Sequence, residues 1–296
     1  MTALDPPQAA AISRLFSSSV IRELARKGKS PLFTRLARQS LLLESLSGSE
    51  CVYDLFDAAF SLLRREGYRD EYVYKAALIQ KILFGRHSLQ TASILNEFRV
   101  GECKADLAIL NGTATVYEVK SERDSLVRLQ KQVTTYAAVF AKVYVIASES
   151  HVAGVKSAVP EDVGILVLNR RYHISTLRDA QGTPEQTSPD AIFNSIRTPE
   201  ARAVLALNGV EIPKVPNTIV HAALRERFVK LDAARAHASM VQVLKKTRNL
   251  LPLSALVSQL PSSLQTAALS IPLRKSDHAR LVAATKTPLE IAAGWA

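Results

Sequence analysis

The chain has 296 residues, and its 38 Lys and Arg against 27 Asp and Glu leave a formal net charge of +11 at pH 7. That length is enough to bury a hydrophobic core without disulfides or a structural metal. A 47% hydrophobic composition with no internal repeat excludes collagen-like, coiled-coil and disulfide-scaffold proteins. The positive charge suits a polyanionic partner, although charge alone does not identify one.

The cysteines and the N-terminus indicate a cytoplasmic protein. Cys51 and Cys103 are the two cysteines, too few for a CxxC-type zinc site or a disulfide framework, and we expect both to be reduced. The segment 1–8 has no positive region before an apolar stretch, so we expect no signal peptide. No apolar run reaches the roughly 20 residues needed to span a bilayer, and we expect no membrane partner.

Helical periodicity dominates the first 84 residues. The spacing of apolar residues predicts two helices over 9–46 and a third over 51–66, which Gly67 ends. A further helix is predicted from Arg69 to about Phe84, before Gly85. These helices precede the first β-like segment.

The pattern then changes to short segments typical of strands. Strands are predicted over 93–100, 104–110, 113–120, 143–147 and 163–168, with a helix over 125–140 and a short helix over 151–158. Asn111-Gly112 separates the second and third strands and is typical of a hairpin turn. This alternation predicts an α/β sandwich around a mixed sheet.

A polar stretch separates this α/β region from a helical C-terminal part. Residues 178–189 are rich in Gly, Thr, Pro, Gln and Ser, typical of a linker. Helices are predicted over 191–208, 220–235 and 239–250, followed by shorter pieces. We therefore predict a helical N-terminal extension (1–50), an α/β domain (51–175), a linker (176–190) and an all-α C-terminal domain (191–296).

Three charged residues stand out within the apolar strands. Asp106 lies in the second strand, and Glu118 and Lys120 lie two residues apart in the third. Side chains alternate across a strand, so Glu118 and Lys120 share one face. Burying such groups is costly unless they are paired or bind an ion.

The hairpin register decides whether Asp106 joins them. A two-residue turn pairs Leu110 with Thr113, and the Asp106 side chain then lies on the other face of the sheet from Glu118. A three-residue loop pairs Leu110 with Ala114, and Asp106 then lies directly across from Glu118 on the same face. The Cβ atoms of such a pair are about 4.5–5.5 Å apart. Two carboxylates at that separation favour a bridging hard cation, above all Mg²⁺.

Asp106, Glu118 and Lys120, in this order, resemble the PD-(D/E)XK superfamily of restriction-endonuclease-like nucleases. The proline of that motif is absent, since Ala105 precedes Asp106. The resemblance covers roughly residues 69–168 and implies a core of helix, three-stranded antiparallel meander, helix and strand. It also implies that Asp106 and Glu118 bind Mg²⁺, with Mn²⁺ as a substitute.

An acidic residue from the preceding helix often completes the metal shell in that family. Glu71 is the candidate for this third ligand, and Glu97 on the first strand is its competitor. The helix after Lys120 adds a second motif, because Gln132 and Tyr136 lie four residues apart on one helix face.

This Gln-x-x-x-Tyr motif is similar to that of the RecB-type branch of the superfamily. There it orients the site and contacts nucleic acid, and Arg128, one turn earlier, is a further candidate for positioning the substrate. The segment also resembles a sparsely characterised group of bacterial and prophage proteins. The resemblance therefore implies a Mg²⁺-dependent nuclease acting on DNA, with RNA as an alternative, in phage defence or mobile-element biology.

Two other functions remain open at this point. The chain could grip nucleic acid without cutting it, or act as a protein-interaction subunit of a larger complex through its helical C-terminal domain. The excess of Lys and Arg over Asp and Glu lies mainly outside residues 49–175. We therefore expect the flanking helices to bind the nucleic acid. There is no GxxxxGK[ST] or GxGxxG motif, and nothing indicates nucleotide-driven work.

Overall fold

The computed structural model describes residues 4–46 and 50–296, with the backbone alone of Arg86. The helices before the sheet are α1 (Pro6–Leu15), α2 (Ser18–Lys27), α3 (Pro31–Gln39), α4 (Leu42–Ser45), α5 (Val52–Leu63), α6 (Glu71–Leu78) and α7 (Phe84–Arg86), with one π-helical turn at Ile79–Leu83.

The two helices expected over 9–46 are four in the structure. Gly28 ends α2 in the left-handed conformation (φ +71°), which favours glycine. Ser30 then caps α3, since its Oγ accepts from the Phe33 N–H at 3.0 Å, and Pro31 occupies the first turn. Local capping chemistry therefore divides a segment whose apolar periodicity is nearly continuous.

A six-stranded mixed sheet follows, with its strands in sequential order. The strands are β1 (Ser93–Val100), β2 (Cys103–Asn111), β3 (Thr113–Lys120), β4 (Lys142–Ala147), β5 (Gly164–Leu168) and β6 (Ile174–Arg178). β1, β2 and β3 form an antiparallel meander, β3, β4 and β5 are parallel, and β6 is antiparallel to β5.

The mixed α/β class and the first five strands are confirmed. The edge strand β6 is not among the predicted strands, because its side chains are largely exposed and give little alternation. The predicted helix 125–140 is shorter, since α8 spans Leu129–Ala137, and α9 (Val152–Ala158) makes the next crossover. α8 packs against β2 and β4, and buried residues of these elements share one core.

Helices complete the chain after β6. They are α10 (Pro189–Ser195), α11 (Thr198–Leu207), α12 (Val220–Phe228), α13 (Ala233–Thr247), α14 (Ser254–Val257), α15 (Ser262–Ser270), α16 (Lys275–Thr285) and α17 (Leu289–Ala292). The single helix expected over 191–208 is divided, because Pro199 cannot continue a helix interior and instead lies in the first turn of α11. Asp232 caps α13 through the Arg235 N–H at 2.9 Å and so separates it from α12.

The chain divides into two compact units. One comprises residues 1–79 and 251–296, and the other residues 80–250. The first is helical and joins distant segments, for example through the hydrogen bond from Thr34 Oγ1 to the Ala292 carbonyl at 2.7 Å. The second holds the sheet together with α7 to α13. The domain boundaries expected near residues 50 and 190 stay a prediction.

Over residues 4–46 and 50–296, every helix is too short or too polar to cross a membrane.

Candidate functional site

The site lies where β2 and β3 separate. The hairpin pairs Leu110 with Ala114 around Gly112 (φ +71°), which is the register of the three-residue alternative, so the two-residue turn is wrong. The β2–β3 ladder ends at the pair of Leu107 and Tyr117. β2 stays paired with β1 back to Cys103, while β3 stays paired with β4. We call this opening, with Asp106 on one branch and 118–120 on the other, the fork.

The side chain of Asp106 links the two branches of the fork. Its Oδ2 accepts the backbone N–H of Val119 at 2.8 Å, so the carboxylate replaces a strand carbonyl as partner of that amide. This bond holds the partly buried Asp106 carboxylate against the backbone between Glu118 and Lys120.

Glu118 and Lys120 form a buried ion pair. The two side chains are 3% and 9% exposed, and Lys120 Nζ donates to Glu118 Oε1 at 2.9 Å. Taking two charges out of water is costly unless further hydrogen bonds satisfy them. The pair therefore depends on the groups that surround it.

Gln132 on α8 supplies part of that satisfaction. Its Nε2 donates to Glu118 Oε1 at 2.5 Å, and its Oε1 accepts from Lys120 Nζ at 3.0 Å. An acceptor faces the cation and a donor faces the anion, so the amide has one orientation that serves both. Gln132 thus closes a three-residue ring with Glu118 and Lys120.

Tyr136, one turn further along α8, spans the fork. Its hydroxyl oxygen lies 3.0 Å from Glu118 Oε2 on β3 and 3.0 Å from the Lys104 carbonyl oxygen on β2. Burial, followed by the nearby Glu118 carboxylate, raises the pKa of Tyr136 far above its ordinary value. The hydroxyl therefore stays protonated, and its single hydrogen is available to the acceptor on either branch.

The structure brings together five of the predicted site residues: Asp106, Glu118, Lys120, Gln132 and Tyr136. Arg128 is exposed at the N-cap of α8, and its predicted contact with substrate stays a prediction. The Lys104 carbonyl is part of the site that sequence reasoning missed, because a backbone acceptor leaves no pattern in side-chain identity.

The two candidates for a third metal ligand have other partners. Glu71 forms an ion pair with Lys75, one turn along α6. Glu97, in the left-handed conformation (φ +52°), accepts from Lys104 Nζ at 2.8 Å. In the part of the chain that the structure describes, no group of three His, Cys, Asp or Glu could hold a metal ion.

Asp106 and Glu118 are the residues that would hold a Mg²⁺ ion at the fork, and this site stays a prediction. Mg²⁺ commonly takes one or two carboxylates and completes its shell with waters and substrate phosphates. Asp106 and Glu118 are two such carboxylates on adjacent branches. A carboxylate offers about four lone-pair sites, and three hydrogen bonds reach Glu118, from Lys120, Gln132 and Tyr136.

The loop after Lys120 is held in place at several points. Asp124 Oδ2 accepts from the Ser121 N–H at 2.8 Å and from Ser121 Oγ at 2.6 Å. His151 Nε2 lies 2.9 Å from the Asp124 carbonyl oxygen, and Ser148 N donates to the Lys120 carbonyl at 3.2 Å. These bonds anchor the start of the loop that leads from the fork to α8.

A family model described as bacteriophage P4 protein cII matches residues 64–253, which is more than half of the chain and includes all of the fork. The chain belongs to the bacteriophage P4 cII family. Protein cII of Enterobacteria phage P4 is 37% identical over 94 residues, covering 31% of this chain and 35% of that protein. This member of the cII family therefore spans about a third of the length of the curated relative that it matches.

A solved structure is also similar to this cII-family chain. It is the SPO1766 protein of unknown function from Silicibacter pomeroyi, which is 19% identical over 40% of this chain and 81% of its own, with a TM-score of 0.27. A score at that level carries no argument about fold or function.

Proposed function

We propose that this protein is a metal-dependent nuclease that hydrolyses phosphodiester bonds of DNA, on a restriction-endonuclease-like core formed by the meander, α8 and β4. The observation that carries the proposal is the arrangement at the fork. Asp106, Glu118 and Lys120 meet where two strands separate, and Gln132 and Tyr136 hold Glu118 in one orientation. Membership of a bacteriophage family is compatible with the mobile-element setting.

Asp106 and Glu118 would hold the cation. A bound Mg²⁺ supplies Lewis acidity toward a phosphoryl oxygen and lowers the pKa of a coordinated water. The bond from Val119 N–H fixes the direction of the Asp106 carboxylate. The hydroxyl of Tyr136 and the amide of Gln132 fix the direction of Glu118. Because these groups are already in place, the site needs little reorganisation when substrate enters.

Lys120 would stabilise the negative charge that develops on the phosphate. Its ammonium group is held by Glu118 and Gln132, so it lies at the fork in a defined place before substrate arrives. An ammonium group aimed at a developing oxyanion stabilises the transition state more than the ground state. Lys120 is therefore proposed to stabilise the phosphorane-like charge.

The test is a cleavage assay on the full chain. Purified protein is incubated with supercoiled plasmid, single-stranded DNA and RNA, in Mg²⁺, in Mn²⁺ or in EDTA. We expect cleavage of DNA that depends on the metal and falls by at least about 100-fold in Asp106→Asn, as for loss of one transition-state-stabilising group.

Glu161→Gln is the matched control, because Glu161 is an exposed carboxylate away from the fork. It should cleave like the wild type. Cleavage by Asp106→Asn at the wild-type rate, or cleavage that persists in EDTA, would contradict the proposed mechanism.

One observation favours a second function, a nucleic-acid-binding protein that does not cut. Across the described ranges no third acidic or His ligand joins the two carboxylates, and Glu118 is engaged by three donors. In this alternative the wild type binds DNA, with an affinity that falls linearly on a logarithmic salt scale, and cuts no substrate in either metal.

A further inference from the structure

A cavity lies on the face of the sheet that is turned away from α8. A cavity of about 420 Å³ is lined in part by Thr115 and Tyr117 of β3 and by Lys142 and Tyr144 of β4. These strand positions alternate with those of Glu118 and Val145, which face α8 and its core. The cavity and the fork network therefore occupy opposite faces of the same two strands.

Two of the lining residues are tyrosines that stack on each other. Tyr117 and Tyr144 are direct partners in the parallel β3–β4 register, and their rings stack with centroids 5.6 Å apart and planes 16° from parallel. Gly164 is the partner of Tyr144 on β5, and a Cβ there would lie 2.3 Å from two atoms of the Tyr144 ring. Because Gly164 has no side chain, the Tyr144 ring can occupy the space beside it.

Basic groups line the same cavity. Lys81, His87, Lys142 and His173 line the cavity, with Asp179 as the carboxylate among its lining residues. Lys142 is exposed and forms no ion pair with any residue in the described ranges. Lysine ammonium and imidazole groups are donors that suit a phosphate.

We propose that this cavity binds a nucleoside monophosphate, with its base against Tyr117 and Tyr144 and its phosphate between Lys81 and Lys142. An aromatic ring that lines a cavity accepts any planar base through stacking. The volume falls within the roughly 300–1,000 Å³ typical of small-molecule sites. Because the cavity shares no side chain with the fork, this site is independent of the proposed nuclease activity.

The same chemistry is offered by a free mononucleotide and by the 5′-terminal nucleotide of a strand. The experiment is isothermal titration of the full chain in EDTA with AMP, adenosine, inorganic phosphate and a 5′-phosphorylated trinucleotide. We expect AMP to bind once per chain, at least about tenfold more tightly than adenosine or phosphate. Tighter binding of the trinucleotide than of AMP would identify a strand end as the ligand, and the reverse a free nucleotide.

Lys142→Gln is expected to weaken AMP binding by about tenfold. Because Lys142 is exposed, we expect this variant to fold like the wild type. Lys156→Gln, which removes an exposed lysine on α9, is the matched control and should bind AMP like the wild type. Asp106→Asn should also bind AMP normally, which separates this site from the fork.

The proposal is overturned if AMP binds no more tightly than inorganic phosphate, or if Lys142→Gln binds AMP like the wild type. It is also overturned if Asp106→Asn removes AMP binding, since the nucleotide would then occupy the fork. A failure of the cleavage assay has no bearing on these three outcomes.

Discussion

The hydroxyl of Tyr136 lies 3.0 Å from the Glu118 carboxylate and links α8 to the buried ion pair of β3. The same oxygen lies 3.0 Å from the Lys104 carbonyl on β2. One side chain thus bridges two strands that no longer pair with each other at this point. At the fork, the Tyr136 hydroxyl of α8 and the Asp106 carboxylate connect the two branches in place of a ladder of backbone hydrogen bonds.

Removing that hydroxyl should destabilise the protein. In Tyr136→Phe, a buried carboxylate oxygen and a carbonyl lose a donor, and we expect the free energy of unfolding to fall by about 1–3 kcal/mol. Urea denaturation measures it. Tyr144→Phe is the control, because its hydroxyl makes an exposed 3.3 Å contact with Asp179, and it should cost less than about 0.5 kcal/mol. Equal losses in both variants would refute the bridging role.

The buried ion pair predicts a rescue of stability without a rescue of activity. Lys120→Met leaves Glu118 buried and uncompensated, which should cost about 3–5 kcal/mol. Adding Glu118→Gln removes that charge and should recover most of the loss, while cleavage stays absent in both variants. Denaturation curves together with the plasmid assay check both halves of this prediction.

An exposed pair provides the control for that cycle. Lys131 and Glu102 form an ion pair of 2.7 Å with side chains 66% and 83% exposed. Solvent screens such pairs, so Lys131→Met should leave the free energy of unfolding nearly unchanged. If Lys120→Met were equally mild, the Glu118–Lys120 pair would not be the buried element described above.

His237 on α13 should make stability depend on pH. It is 1% exposed, and Nε2 makes no hydrogen bond within the described ranges. Burial lowers its pKa from 6.5 to about 4. The folded state therefore keeps the imidazole neutral, while the unfolded chain takes up a proton as the pH falls below about 6.5. The stability contributed above that pH is lost between pH 6.5 and 4.

This loss has a defined size and test. At 1.36 kcal/mol per pH unit, the histidine should cost about 2 kcal/mol between pH 7 and pH 5. His237→Leu removes the titrating group, so its stability relative to the wild type should improve by that amount over the same interval in urea melts. A difference that does not change with pH would show that His237 does not titrate in this range.

Gly164 should tolerate no side chain. In Gly164→Ala the new Cβ would meet the Tyr144 ring at 2.3 Å and the Ala180 nitrogen at 2.8 Å. Overpacking of this kind costs about 1–3 kcal/mol, seen as a lower midpoint in thermal unfolding. Gly85→Ala is the control, since the nearest atom to its Cβ, the Gln80 carbonyl oxygen, lies at an ordinary 3.5 Å. A neutral Gly164→Ala would contradict the packing of Tyr144.

Local patterns in the sequence determined several features by themselves. Period-two alternation placed Glu118 and Lys120 on one face, and Asn111-Gly112 marked the hairpin, because both depend on neighbouring residues alone. The four-residue spacing of Gln132 and Tyr136 put them on one face of α8, and both donate to Glu118.

Only the tertiary structure decided the rest. The hairpin register stayed open between two turns, and it was settled by the packing of a whole sheet face, since a shift of one residue reverses every side chain. The stacking of Tyr117 on Tyr144 depends on a parallel register set across a helical crossover. The joining of Thr34 to Ala292 spans 258 positions. Such contacts leave no local trace, because they are selected by the burial of surfaces that meet only after the chain has folded.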